Sequence, residues 1–340
     1  MSERLIVVDA DVLGRRRTGD ETYVLNLLRE LPEPAAAAGL RIAAVTRRPD
    51  LVPGGIEAIE LSTSSQEWRM AVSLPRLLGR LGADLVHTQY ALPWRCPCPG
   101  VVTIHDLSFE HHSTRMSRRD RFVFRRVVPS AARRAARVLT VSERSRSDLV
   151  RLYGLAPEAV VVTPNGVDAV FRPDGGSTGD YVLSVGAVQP RKNQLAALEA
   201  AQAVGLPLVV VGPEKDAAAA RELRDHGATL RGYVAIDELA VLYRGAACLV
   251  QASHYEGFGL PVLEAMASGT PVVIVQDAAL MEVAGDAAVI VEEGELAEGI
   301  RHALTDREAL VAAGLARARA FSWRAAAEQT VAVYREALGR

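Results

Sequence analysis

The chain has 340 residues, a formal net charge of −2, 49% apolar residues and 24% charged ones. That length holds two domains of ordinary size, and the composition excludes a disordered or collagen-like chain. No apolar run approaches the ~18 residues of a membrane span, and the acidic start MSER before LIVV gives no expectation of a signal peptide.

In chain order, short β-branched runs alternate with longer amphipathic stretches. Strands are predicted over residues 5–9, 41–46, 84–87, 101–105, 138–142 and 160–163, and helices over 21–31, 68–81 and 117–137. Pro129 is expected to break or kink the last of these. Apolar runs of four to six residues without strict alternation suit a sheet covered on both faces. Strand–helix–strand repetition gives right-handed crossovers and a mostly parallel sheet. The stretch 173–180, PDGGSTGD, is rich in turn residues and reads as a linker. The alternation resumes with strands at 181–185, 206–211, 248–251, 271–275 and 288–292. The expected fold class is α/β, with two Rossmann-like, doubly wound parallel-sheet domains over 1–172 and 181–322 facing across a cleft. Residues 323–340, with a final helix, are open between the two domains; a return onto the first is one placement.

Charge divides with the domains. Residues 1–170 carry 24 arginines against 19 acids, and residues 171–340 carry 15 bases against 22 acids, which suggests different partners for each. Cys96 and Cys98 flank a proline and, with Cys248, form neither a disulfide framework nor a zinc knuckle; reduced thiols are expected.

The densest candidate site is SHYEGFGLPVLEAMASG at 253–269, after a strand and opening a helix. Gly257 and Gly259 remove side chains where the chain turns, so backbone amides can approach a ligand. Pro261 suits a first helical turn, and an open helix N-terminus binds anions such as phosphate. Glu256 and Glu264 offer carboxylates to sugar or ribose hydroxyls. The plainer reading is a glycine-rich turn with two solvated glutamates; its place after a parallel strand favours the site. A dinucleotide fingerprint is excluded because the third glycine is missing. A second cluster, VGAVQPRKN at 185–193, sets Arg191 and Lys192 where a planar fork and a point charge suit a diphosphate. Solvated loop cations are the plainer alternative.

EGFGLPVLEAMASGTPVV, with glutamates eight apart, resembles the signature of the retaining glycosyltransferases of family 4, which have the GT-B fold. Supporting strings run in order along almost the whole chain: HDLSFEHH at 105–112, VSERSRSDL at 141–149, TPNGVD at 163–168, VGAVQPRKN at 185–193 and RGYVAIDELAVLYRGA at 231–246. The resemblance implies an acceptor domain over 1–172 and a nucleotide-sugar donor domain over 181–322. It implies that Glu256 contacts donor-sugar hydroxyls and Glu264 the ribose. Gly257, Phe258, Gly259 and Leu260 would hold the diphosphate with Arg191 and Lys192. Gly232, Tyr233 and Val234 would border the base, and Gly19 and Asn165 would lie in the cleft. His105 would reach the donor sugar, making Glu256 and His105 the catalytic pair; without the motif, a lone histidine at a strand end is more often structural. Two departures stand out. Ala187 occupies a position where many members carry arginine, leaving the diphosphate charge to Arg191 and Lys192. Gly19-Asp20-Glu21-Thr22 replaces a glycine-rich first loop, and its acidic pair would repel an anionic acceptor.

The activity so implied is retaining hexosyl transfer, best matched by mannose from GDP-mannose, to a glycan, lipid-linked or small-molecule acceptor in cell-envelope polysaccharide synthesis. Arg191, Lys192 and the helix terminus near Leu260 would stabilise the departing diphosphate; no metal and no cofactor are expected, the nucleotide-diphosphate sugar being a substrate. Alternatives are a GT-B UDP-sugar epimerase or phosphorylase, although Lys215 lacks the context of a pyridoxal-phosphate lysine, and a non-catalytic nucleotide-sugar-binding protein. A cytoplasmic location and no nucleic-acid partner are expected. From Arg115 to Arg137, nine arginines face one acid, Asp120. The plain reading is a solvated helix; the second is peripheral contact with an anionic membrane, where each base contributes ~1 kcal/mol.

Overall fold

Buried β-branched runs form two parallel sheets in the computed structural model, which describes residues 3–15, 18–111, 118–174 and 179–339. The first sheet holds β1 (Arg4–Asp9), β2 (Leu40–Thr46), β3 (Glu57–Glu60), β4 (Leu85–Gln89), β5 (Gly100–Thr103), β6 (Arg137–Thr140) and β7 (Val160–Val162). Their order is β3-β2-β1-β4-β5-β6-β7. The second holds β8 (Val182–Val185), β9 (Leu208–Val211), β10 (Thr229–Gly232), β11 (Cys248–Gln251), β12 (Val272–Val275) and β13 (Val289–Val291). It is ordered β10-β9-β8-β11-β12-β13. Each sheet therefore reverses its winding once, between β1 and β4 and between β8 and β11. Such switch points leave a crevice beyond the strand C-termini, where ligands bind in open α/β sheets. This is the doubly wound fold expected of the sequence.

Two compact units result: Met1–Gly166 with Ser322–Arg340, and Val167–Phe321. The division falls before the predicted 173–180 linker, of which 175–178 lie outside the described residues. Its cause is Phe171, which is buried with its ring 5.6 Å from that of Tyr243 and so ties the segment to the second unit. The final helix, Trp323–Ala337, belongs to the first unit. Ser322 caps it by accepting from Ala325 N–H at 3.1 Å, a contribution of about 1 kcal/mol. Trp323, Val331 and Tyr334 are buried, each large apolar side chain stabilising the unit by about 1.5–3 kcal/mol. At Gly166 a Cβ would stand 2.0 Å from Trp323 N, so no other residue fits where the chain leaves this unit.

The helix Arg118–Arg134 runs through Pro129, so of the expected break or kink the break does not occur. Val128, Ala131 and Ala132 are buried in the first core. Their burial offsets the ~3 kcal/mol that an interior proline costs.

Candidate active site

The strand ends on either side of the second switch point carry most of the predicted residues. After β8 the chain passes Gly186, with φ 148°, into a short 3₁₀ turn, Pro190–Lys192. Gly212 follows β9 with φ 145°, and a Cβ there would lie 2.2 Å from Gly186 O. Its N–H donates to Gly232 O at 2.8 Å. Bare backbone thus joins the loops after β8, β9 and β10. Gly232 ends the edge strand β10, with Tyr233 exposed and Val234 half-buried beyond it.

Glu256, in the loop after β11, is the charge centre. Its Oε1 accepts from Lys192 Nζ at 2.5 Å and Gln251 Nε2 at 2.7 Å, and its Oε2 lies 3.5 Å from Arg191 Nη1. Arg191 also donates to Tyr255 O, and His254 N–H donates to Arg191 O at 3.0 Å, so the two loops are cross-braced. Burial of Glu256 opposes ionisation. The charges of Lys192 and Arg191, with hydrogen bonds from Lys192 and Ser253, outweigh it and hold the carboxyl at about 2. Lys192 and Arg191 are themselves largely buried, so this pairing is little screened.

The helix Leu260–Ala267 begins at Gly259, with φ 107°, and has no side-chain cap. A Cβ on Gly259 would meet Leu280 at 2.8 Å. Uncapped first-turn amides and the helix dipole suit an anion. Gly257 and Phe258 lead into this turn, and Phe258 is buried against Phe321, ring centres 5.9 Å apart. One turn in, buried Glu264 accepts from Tyr243 Oη at 2.8 Å. Burial pushes its carboxyl up to about 7; the Tyr243 hydrogen bond opposes the rise and Asp168 adds to it.

In the first unit His105 follows β5. Its ring meets Tyr23 edge-on at 4.6 Å and 77°, with Tyr90 at 5.7 Å. Burial lowers its proton affinity against the opposing charges of Asp20 and Asp106. Its Nε2 is buried without a hydrogen-bond partner among the described residues. Behind it, His87 is fully buried, with Nδ1 2.7 Å from Tyr334 Oη and Nε2 2.7 Å from Thr103 Oγ1. Tyr23 Oη lies 3.0 Å from the same threonine hydroxyl. Burial, then the charge of His105, lowers His87 to about 3, so it is neutral. Gly19 is exposed, and Asn165 is buried with Oδ1 unpartnered among the described residues.

Glu256, Arg191 and Lys192 therefore meet in one cluster, and Glu264 lies on the adjoining helix with a separate partner. The sequence reading gave no role to Gln251, to Ser253 at the head of the 253–269 stretch, or to Tyr243 within the 231–246 string. A glutamine closing the apolar run CLVQ was the available signal. It also missed Arg69, fully buried on a π-helical turn, whose Nη2 donates to Asp9 Oδ1 at 2.5 Å and Val45 O at 3.2 Å. Asp11, beside it, accepts from Arg47 Nε at 2.9 Å. Among the described residues no three His, Cys, Asp or Glu side chains are grouped to hold a metal ion, and no helix is long and apolar enough to cross a membrane.

The family model Glycosyl transferases group 1 matches residues 171–317, and Glycosyltransferase Family 4 matches residues 17–171. An O-antigen chain mannosyltransferase B of Escherichia coli is 32% identical over 69% of this chain and 70% of its own. An MMP alpha-(1->4)-mannosyltransferase of Mycolicibacterium hassiacum is 32% identical over 86% of this chain and 82% of its own. The solved sucrose-phosphate synthase of Thermosynechococcus elongatus superposes with a TM-score of 0.79 at 21% identity, covering 99% of both chains. The chain belongs to the group 1 glycosyltransferases of the GT-B fold. It is a sugar-transferring enzyme.

Proposed function

We propose that this enzyme transfers mannose from GDP-mannose to a glycan or lipid-linked acceptor, with retention at the anomeric carbon and without a metal ion. The names of the two relatives support mannose. The observation that carries the chemistry is the buried Glu256–Lys192–Arg191 cluster beside an uncapped helix terminus. Charge developing on a departing diphosphate is stabilised by preorganised cations and dipoles, here Lys192, Arg191 and the amides near Leu260. Glu256, held at about 2, stays ionised at neutral pH and stabilises positive charge growing on the sugar ring. With its oxygens engaged by Lys192, Gln251 and Arg191 it is a weak nucleophile, which favours same-face attack over a covalent intermediate. Glu264 receives the ribose hydroxyls.

The test is turnover of GDP-mannose and UDP-glucose in excess EDTA, with the product anomer read by NMR. GDP-mannose is consumed and an α-linked product forms. An inverted anomer, preference for UDP-glucose, or activity lost in EDTA and restored by magnesium or manganese each overturns the corresponding part.

The arginine-rich stretch keeps its surface reading. Arg115 and the side chains of 118–122 lie outside the described residues. Phe124 and Val128 pack on the core, and Val123, Val127, Arg125, Arg126, Arg133 and Arg134 are exposed. Exposed valines among arginines support attraction to anionic lipid. Cosedimentation with anionic but not neutral vesicles, lost at high salt, is expected; equal or absent binding to both refutes it.

A further inference from the structure

We propose that Asp20 and His105 together clasp one hydroxyl group of a carbohydrate substrate, its oxygen accepting from the imidazole Nε2–H and its O–H donating to the carboxylate. This deepens the glycosyltransferase reading and rests on it. Asp20 Oδ1 stands 4.0 Å from His105 Nε2. That is too long for a direct hydrogen bond, and it is a span that one oxygen bridges with two bonds of ~2.8 Å meeting near a right angle. The imidazole nitrogen is buried and has no hydrogen-bond partner among the described residues. Tyr23 packs on the ring edge-on, and its own hydroxyl lies 3.0 Å from Thr103 Oγ1.

Asp20 comes from another element. It lies in the first turn of the helix Thr18–Glu30, and the next residue, Glu21, accepts from Gly14 N–H at 2.7 Å. Beside it Gly19 opens on free space, leaving room for a ligand. A carboxylate in this place repels phosphate and accepts a hydroxyl, so the pair selects a neutral sugar oxygen.

The groups facing the imidazole are Asp20, Asp106, the tyrosine rings and His87 behind Thr103. In Asp20→Asn the charge is lost and the shape kept. By ¹⁵N-histidine NMR the variant titrates His105 at lower pH than the wild type, with thermal unfolding unchanged. Its kcat/KM for GDP-mannose with methyl α-mannoside as acceptor falls ten- to a hundredfold. A donor hydroxyl is identified if acceptor-free hydrolysis of GDP-mannose falls too, and an acceptor hydroxyl if only transfer falls. Addition of the recognised saccharide moves the wild-type Nε2 resonance and leaves that of Asp20→Asn unmoved. The proposal is overturned by kcat/KM within twofold of wild type, or by a wild-type Nε2 resonance that neither saccharide moves. If the wild type turns over neither GDP-mannose nor UDP-glucose, the donor reading fails, and the resonance alone decides the clasp.

Discussion

Glu264 carries a penalty that can be measured apart from catalysis. Its carboxyl rises from 4.5 in the unfolded chain to about 7 in the folded one, chiefly through burial. Below pH 4.5 both states hold the proton and the residue contributes nothing. Between 4.5 and 7 the folded state binds more protons than the unfolded, so stability falls as pH rises; above 7 the loss is complete. At 1.36 kcal/mol per unit the full penalty is about 3 kcal/mol. Glu264→Gln keeps an oxygen for the Tyr243 hydroxyl and removes the charge. We expect it to stabilise the protein at pH 8 by up to about 3 kcal/mol, roughly 6–12 °C in Tm for a unit of this size, and to change stability little at pH 4. Calorimetric unfolding of wild type and variant at both values is the assay. Equal shifts at the two pH values, or a lower Tm for the variant at pH 8, would refute the reasoning. The accompanying functional expectation is that Glu264→Ala raises the donor KM and leaves kcat nearly unchanged, because a ribose contact is shared by ground and transition states.

Glu256→Gln should lower kcat by ~10²–10³, the usual effect of losing one preorganised electrostatic contact; steady-state rates within threefold of wild type would exclude the role. The same variant loses an acid-labile stabilisation. Since the folded carboxyl is at about 2 against 4.5 unfolded, that contribution is present above pH 4.5 and lost as pH falls towards 2, which urea midpoints at pH 6 and pH 3 will show. Gly212→Ala should abolish donor binding or soluble expression, because its Cβ meets Gly186 O at 2.2 Å; a variant with wild-type KM would show that the two loops can part. Tyr334→Phe leaves buried His87 Nδ1 unpaired and should destabilise the protein by about 1–3 kcal/mol in urea titrations.

The internal strands were legible because a sheet covered on both faces demands continuous β-branched runs such as LVVV, CLVQ and VVIV. β3 and β10 were missed. EAIE and TLRG lie at sheet edges, where one side meets solvent and little apolar density is needed. Glu256, Arg191 and Lys192 were each singled out, yet their ion pairing spans 64 and 65 positions and follows only from two strands being neighbours. Asp20 was legible only as an unwelcome acid. Its distance from a histidine 85 positions away is a product of the helix returning across β5, which local pattern does not encode.

Because the first unit is closed by Ser322–Arg340, synthesis order and completion order are opposed in this chain. Most of the first unit is made before the second, yet His87 waits for Tyr334, and Tyr23 for Trp323, until the second has been made. Val167–Phe321 has all its strands before then. Domains commonly fold in the order they leave the ribosome; here the later-made unit has all its strands before the first has its closing helix, and a chain ending at Phe321 would carry the second unit attached to an unfinished first.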